Sequence, residues 1–127
     1  MTIFYFTGTG NALFTAKRIA EATDAKLISI PKVIDAPREY SDDVIGFVYP
    51  QYAAGLPKMV RKFVLDNTFK AKYVFAIDLF AIIKAGALRE MSGIINLNYG
   101  SYLNPTFPKI SPKQAKNETF GSKKPIN

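Results

Sequence analysis

The stretch IFYFTGTGNALFTAKRIAEA, residues 3–22, joins an apolar run to a turn rich in Thr and Gly, and that turn to a helical pattern. The run TIFYF (2–6) has the aromatic and β-branched composition of a buried strand. Over residues 11–23 apolar side chains recur at helical spacing, which predicts a helix. The turn between them contains Gly8 and Gly10, and glycines let the backbone approach a ligand closely. The stretch therefore predicts a ligand-binding loop between a strand and a helix.

The alternation of strands and helices continues along the chain. Further strands are predicted at 26–30, 44–49 and 72–77, a weaker one within 94–103, and helices from Pro57 onward and over 79–91. Residues 31–43 are expected to form a loop, because prolines and charges interrupt any regular pattern. Apolar strands separated by helices predict an α/β fold, with a parallel sheet and helices on both faces. We expect one domain over 1–103 and a basic polar tail over 104–127.

The composition excludes several classes of chemistry. The chain has 127 residues, 48% of them hydrophobic, and it contains neither Cys nor His. Disulfides, thiolate nucleophiles, histidine bases and iron–sulfur clusters are therefore excluded. The longest apolar stretch, 73–83, contains Asp78 and is too short to span a bilayer. Together with the lack of a signal-peptide pattern, these features predict a cytoplasmic protein without a membrane partner.

The formal net charge of +7 is unevenly distributed. Residues 1–99 carry a net charge of +3, and residues 100–127 carry +4 on five lysines and one glutamate. The excess therefore lies largely in the polar tail, which is either a solvated terminus or a basic arm for an acidic partner. No motif typical of nucleic-acid binding accompanies it, so we expect no nucleic-acid partner.

The turn after the first predicted strand suits a phosphate group. Its hydroxyl, amide and backbone groups precede a helix whose N-terminus is the positive end of its dipole. The triphosphate-binding loop requires a lysine that is absent here, and the dinucleotide fingerprint requires a third glycine where Leu13 stands. The turn therefore fits a single phosphate without magnesium. A turn whose glycines serve packing alone is the alternative.

Two stretches of this sequence resemble the flavodoxin family, whose members bind flavin mononucleotide. Residues 3–21 are similar to the phosphate loop and first helix of the family, and DDVIGFVYPQYAAGLPKMVRKFV (42–64) is similar to its third strand and flavin-flanking loop. The resemblance is strongest to the bacterial flavodoxin-like domains that precede a ferredoxin module. It implies the strand order 2-1-3-4-5 and flavin mononucleotide as cofactor.

The resemblance also implies the residues of the site. Those around the phosphate would be Thr7, Gly8, Thr9, Gly10, Asn11 and Ala12, and those beside the flavin ring would be Pro50, Gln51, Tyr52, Ala53, Ala54 and Gly55. Tyr52 is the candidate stacking aromatic, because a flat ring packs well on a flavin; an ordinary loop tyrosine is the alternative.

The chain departs from the family in two places. After the fourth predicted strand, Asp78 and Phe80 stand in a stretch where relatives have small residues. Phe80 either forms a second wall for the ring or fills its space. Asp78 either lies near the flavin, where its charge would oppose reduction, or caps a helix. The C-terminal part is shortened and lacks a final covering helix, so we expect a second copy or a partner protein to cover one face of the sheet.

Three functional classes remain open after these observations. The first is an electron carrier that binds flavin mononucleotide and exchanges electrons with a redox partner protein. The second is an interaction module that keeps the fold without flavin, and the third is a flavin-dependent reductase of the NAD(P)H:quinone type.

Overall fold

The computed structural model describes residues 1–8, 10–51, 55–80, 86–103 and 119–120. The strands are β1 (Thr2–Tyr5), β2 (Lys26–Ser29), β3 (Glu39–Ser41), β4 (Val44–Pro50), β5 (Thr68–Lys70), β6 (Tyr73–Leu79), β7 (Tyr99–Leu103) and β8 (Thr119–Phe120). The helices are α1 (Asn11–Thr23), α2 (Ile30–Val33), α3 (Lys58–Asp66) and α4 (Ala87–Ile94).

The main sheet has the order β2-β1-β4-β6-β7-β8. Its first five strands are parallel, and β8 pairs antiparallel with β7. The predicted order 2-1-3-4-5 is confirmed, since β4, β6 and β7 are the third, fourth and fifth predicted strands. β3 and β5 form a small parallel sheet of their own, which the sequence did not predict.

Several boundaries differ from the prediction. The predicted loop 31–43 contains most of α2 and all of β3. The fourth predicted strand continues to Leu79, because Leu79 pairs with Pro50 on one side and Leu103 on the other. A helix starting at Leu79 would give up this pairing, so the predicted helix over 79–91 was placed too early. α4 begins at Ala87, and residues 81–85 lie outside the described residues.

The face of the sheet covered by α2, α3 and α4 holds an aromatic core. Its five rings, with centroids 4.7 to 5.9 Å apart, are those of Phe4, Tyr40, Phe47, Phe63 and Phe69. Rings at such distances in edge-to-face and offset arrangements pack favourably. This cluster fixes α3 and the small β3–β5 sheet against the central strands β1 and β4.

The opposite face of the sheet packs against α1. Ala12 and Ala16 are fully buried there, and their small side chains let the helix lie close to Ile3 and Val48. α1 covers mainly β1, β2 and β4. That a second copy or a partner protein covers one face of the sheet stays a prediction.

Two further predictions concern the whole chain. Among the described residues, no helix combines the length and the apolar character needed to cross a membrane. Thr119 and Phe120, which belong to the predicted tail over 104–127, pair with β7, and the rest of that tail lies outside the described residues. The boundary at 103 stays a prediction.

Candidate functional site

The carboxyl ends of the central strands bring three predicted loops to one edge of the sheet. From β1 the chain first moves to β2 on one side and later to β4 on the other, so the strand order reverses between β1 and β4. Backbone bonds extend the pairing beyond the strands: Phe6 N–H to Val48 O (3.0 Å), Gln51 N–H to Leu79 O (2.8 Å) and Phe80 N–H to Leu103 O (3.0 Å). Such a switch point is where open α/β sheets bind their ligands.

The turn after β1 has a backbone that requires glycine at one position. Gly10 adopts a φ of 96°, which L side chains rarely adopt. A Cβ atom there would meet no other atom within 4 Å, so the requirement is conformational and does not arise from lack of space. The N–H of Gly10 donates to Oγ1 of Thr7 (2.8 Å), which closes the turn. Gly8 and Asn11 are exposed beside it, and Thr9 lies outside the described residues.

The N-terminus of α1 is the positive end of the helix dipole. Its N-cap residue is Gly10, no described side chain caps this end, and the first turn contains no acidic residue. The N–H groups of the first turn and the helix dipole therefore favour an anion beside Gly10. Ala12 faces the sheet with its methyl group buried, so only its backbone remains available to a ligand. These groups fit a phosphate.

The loop after β4 is held at both ends. Pro50 and Gln51 are half-buried at its start, whereas Tyr52, Ala53 and Ala54 lie outside the described residues. At its end, the N–H of Leu56 donates to Oε1 of Glu90 (3.0 Å). A Cβ atom on Gly55 would lie 2.8 Å from the same oxygen, so this glycine permits the contact.

Glu90 is in turn held by a cation. Its Oε2 lies 3.1 Å from Nε of Arg61 on α3, and both side chains are partly exposed. Sequence reasoning missed both residues. Glu90 stands in no motif, Arg61 was not singled out within the stretch 42–64, and the partners Leu56 and Glu90 are 34 residues apart.

The end of β6 places a carboxyl group between two tyrosines. Asp78 is paired in register with Tyr49 of β4 and Tyr102 of β7. Its side chain is 0% exposed, and within the described part of the chain neither of its oxygens, nor the Tyr49 hydroxyl, has a hydrogen-bond partner. Asp78 is therefore a strand residue and not the helix N-cap that the sequence offered as an alternative; the residue preceding α4 is Gly86.

The surroundings of Asp78 favour its neutral form. Burial raises the pKa of Asp78 to about 7. Burial is the main cause that raises the pKa of Tyr49 well above its usual value, and the charge of Asp78 is the second. The same two causes, in the same order, raise the pKa of Tyr102. At neutral pH the cluster can thus hold or release one proton, on Asp78.

Phe80 continues this edge of the sheet. It is half-buried, and its ring meets the ring of Tyr102 edge to face, with centroids 6.1 Å apart and planes at 85°. Its role as a wall for a flavin ring stays a prediction, as do the other predicted ligand contacts. No described group of acidic side chains could hold a metal ion, and the chain has neither Cys nor His.

The fold of this chain is similar to those of flavodoxins and of an assigned flavoprotein among the solved structures. A protein from Bacteroides uniformis assigned as a flavoprotein matches with a TM-score of 0.65 and 19% identity, over 91% of this chain and 95% of that one. The two-electron reduced flavodoxin of Megasphaera elsdenii matches with a TM-score of 0.61 and 17% identity, over 91% and 94%. The chain has a flavodoxin-like fold. A flavodoxin, WrbA-like protein from Agrobacterium tumefaciens is also similar, with a TM-score of 0.54 and 16% identity over 92% and 88%.

Comparison by sequence alone finds no similar family or curated protein for this flavodoxin-like chain. No protein-family model matches it, and no curated protein sequence is significantly similar to it. In the flavodoxin-like fold, the turn Thr7–Gly10 follows the first strand of the central sheet, and the carboxyl ends of β4 and then β6 come next to it in the strand order.

Proposed function

We propose that this protein is a cytoplasmic electron carrier that binds flavin mononucleotide noncovalently and exchanges electrons with redox partner proteins. The bound flavin would supply the redox chemistry, and the protein would bind, orient and shield it. The phosphate would be held by residues Thr7, Gly8, Thr9, Gly10, Asn11 and Ala12. The ring would lie between the loop Pro50–Gly55 and Phe80.

The observation that carries this proposal is the turn at the switch point of the sheet. An uncapped helix N-terminus without acidic residues follows a glycine at φ 96°, directly beside the end of β4. A phosphate there would meet backbone N–H groups and a positive dipole, and no lysine or metal is required. The similarity of the fold to flavodoxins and to an assigned flavoprotein supports flavin mononucleotide as the phosphate-bearing ligand.

The residue inventory supports a carrier over a reductase. A carrier needs no acid or base of its own, and this chain contains neither His nor Cys. Its formal net charge of +7 favours an acidic redox partner protein.

The experiment that tests the proposal is a titration of flavin-free protein with flavin mononucleotide and, separately, with riboflavin, followed by flavin fluorescence. We expect the mononucleotide to bind at least about tenfold more tightly, because riboflavin lacks the phosphate. We expect Asn11→Asp to remove most of that difference and to leave riboflavin binding unchanged, because a carboxylate at the helix N-terminus repels the phosphate.

This substitution separates binding from folding. An acidic residue in the first turn stabilises a helix, so Asn11→Asp loses phosphate affinity without loss of stability. Lys17→Gln is the matched control, since it also lowers the net charge by one, at an exposed position on the same helix. Equal affinity of wild type and Asn11→Asp for the mononucleotide would contradict the phosphate site.

A flavin-free interaction module of the same fold is the second candidate. The observation that favours it is the end of β6, where Asp78 is buried without a described hydrogen-bond partner and Phe80 packs on Tyr102. Absence of binding by both flavins would support this module over the carrier.

A further inference from the structure

Glu90 ties three elements together at the edge of the sheet. It lies on the first turn of α4, and its Oε1 accepts the N–H of Leu56, which stands between the loop after β4 and α3. Its Oε2 pairs with Arg61 of α3. The carboxylate is thus held at both oxygens, which fixes its orientation. A hydrogen bond to a charged acceptor is also stronger than a neutral one.

The other end of the same loop is anchored to the same neighbours. Gln51 donates its N–H to Leu79 O at the end of β6, and Leu56 donates to Glu90 on α4. The loop after β4 is therefore bound at its start and at its end to the two elements that flank residues 80–86. These two bonds join residues 51 and 56 to the end of β6 and to the first turn of α4.

The sequence makes room for this anchor at Gly55. A Cβ atom at this position would lie 2.8 Å from Oε1 of Glu90, so a side chain there would push the carboxylate away. Leu56 is buried against the core, so the N–H that Glu90 accepts has a fixed position. An acceptor is required here, because a partly buried N–H without a partner is costly.

We infer that Glu90 is a positioning residue, which fixes the backbone of Gly55 and Leu56 relative to α3 and α4, on the side of the site where a flavin ring would bind. The inference rests on the proposed function, since the ring is what the loop would flank. Glu90 acts through the backbone of Leu56, and Arg61 orients it.

Variants of Glu90 test the inference through both flavins. We expect Glu90→Ala to weaken the binding of flavin mononucleotide and of riboflavin by the same factor, about tenfold. The variant would disturb contacts to the flavin ring, which both ligands have, and leave contacts to the phosphate unchanged. Glu90→Gln keeps an oxygen acceptor for Leu56, so we expect its affinities to stay within about threefold of wild type. Glu39→Ala is the matched control, since it also removes a partly exposed carboxylate paired with a cation, Lys70, in the small sheet. An unchanged riboflavin affinity in Glu90→Ala would overturn the inference.

Amide exchange of the flavin-free protein separates this inference from the proposed function. We expect the Leu56 amide to exchange at least about tenfold faster in Glu90→Ala than in wild type, and at the wild-type rate in Glu39→Ala. Equal exchange in wild type and Glu90→Ala would overturn the anchor itself, whatever the protein binds. If the anchor is confirmed but wild type binds neither flavin, the proposed function fails and the positioning of a flavin fails with it.

Discussion

Ionisation of the Asp78 carboxyl group makes the stability of this protein depend on pH. Its pKa of about 7 in the folded state lies above the ordinary value of 3.8, so the folded chain keeps a proton that the unfolded chain has lost. The stability this residue contributes is complete below about pH 4 and is lost as the pH rises to about 7. We expect the free energy of unfolding to fall by on the order of 2 kcal/mol between about pH 5 and about pH 7.

Asp78→Asn isolates this effect, because Asn resembles the neutral acid and does not titrate. We expect the variant to lack the slope between about pH 5 and about pH 7 and to be more stable than wild type at about pH 8, as measured by urea unfolding. The chain has no histidine to titrate in this range. Asp42, whose pKa is lowered first by the hydrogen bond from Thr2, acts at lower pH, and its contribution cancels between the two proteins. The same slope in both proteins would contradict the assignment to Asp78.

At the scale of the elements, Gly→Ala at three positions distinguishes the effects of backbone strain, steric clash and backbone flexibility on stability. Gly10→Ala places a side chain at φ 96° in open space, so we expect a loss of about 1 kcal/mol from backbone strain alone. Gly46→Ala in β4 would bring Cβ within 2.1 Å of the Phe75 ring, so we expect a loss of about 1–3 kcal/mol from overpacking. Gly93→Ala in α4 meets nothing within 4 Å, so we expect a gain of about 0.5–1 kcal/mol.

Urea unfolding of the three variants measures the changes in stability. Titration with flavin shows which of the three substitutions also changes the affinity for flavin. We expect Gly10→Ala alone to lower the affinity for flavin mononucleotide, since of the three glycines only Gly10 belongs to the turn proposed to bind the phosphate. A loss of stability in Gly93→Ala, or an unchanged stability in Gly46→Ala, would contradict the packing described for those elements.

The elements that could be predicted from the sequence are those with a continuous apolar signal. β1, β2 and β4 consist largely of apolar residues, and in α1 apolar residues recur at helical spacing over 13 residues. The observed bounds of these elements therefore agree closely with the predicted ones. β3 and β5 have three residues each and gain their stability from the aromatic core they cover, which no local pattern shows. The end of β6 was misread because Asp78 interrupts an apolar strand, although its neighbours complete the ladder.

At the scale of the whole molecule, the candidate site divides into a part with local signals and a part without them. The turn between β1 and α1, where we propose the phosphate binds, is formed by residues adjacent in the chain, so composition and order predict the turn. The contacts that position the other loops join residues far apart, as between Leu56 and Glu90 or between Gln51 and Leu79. Such contacts depend on the strand order, which becomes visible only once the sheet is assembled.

Binding at the assembled edge of the sheet should stabilise the whole fold. The unfolded chain lacks the switch point, so flavin mononucleotide should bind the folded state only and shift its unfolding by mass action. At a free concentration about 100 times its Kd, we expect about 2.7 kcal/mol of added stability and a Tm higher by about 10 °C. Riboflavin at the same concentration should shift the Tm less, and Asn11→Asp should remove most of the difference between the two flavins. Quenched flavin fluorescence without a rise in Tm would mean that flavin associates with exposed aromatic side chains and not with the folded site.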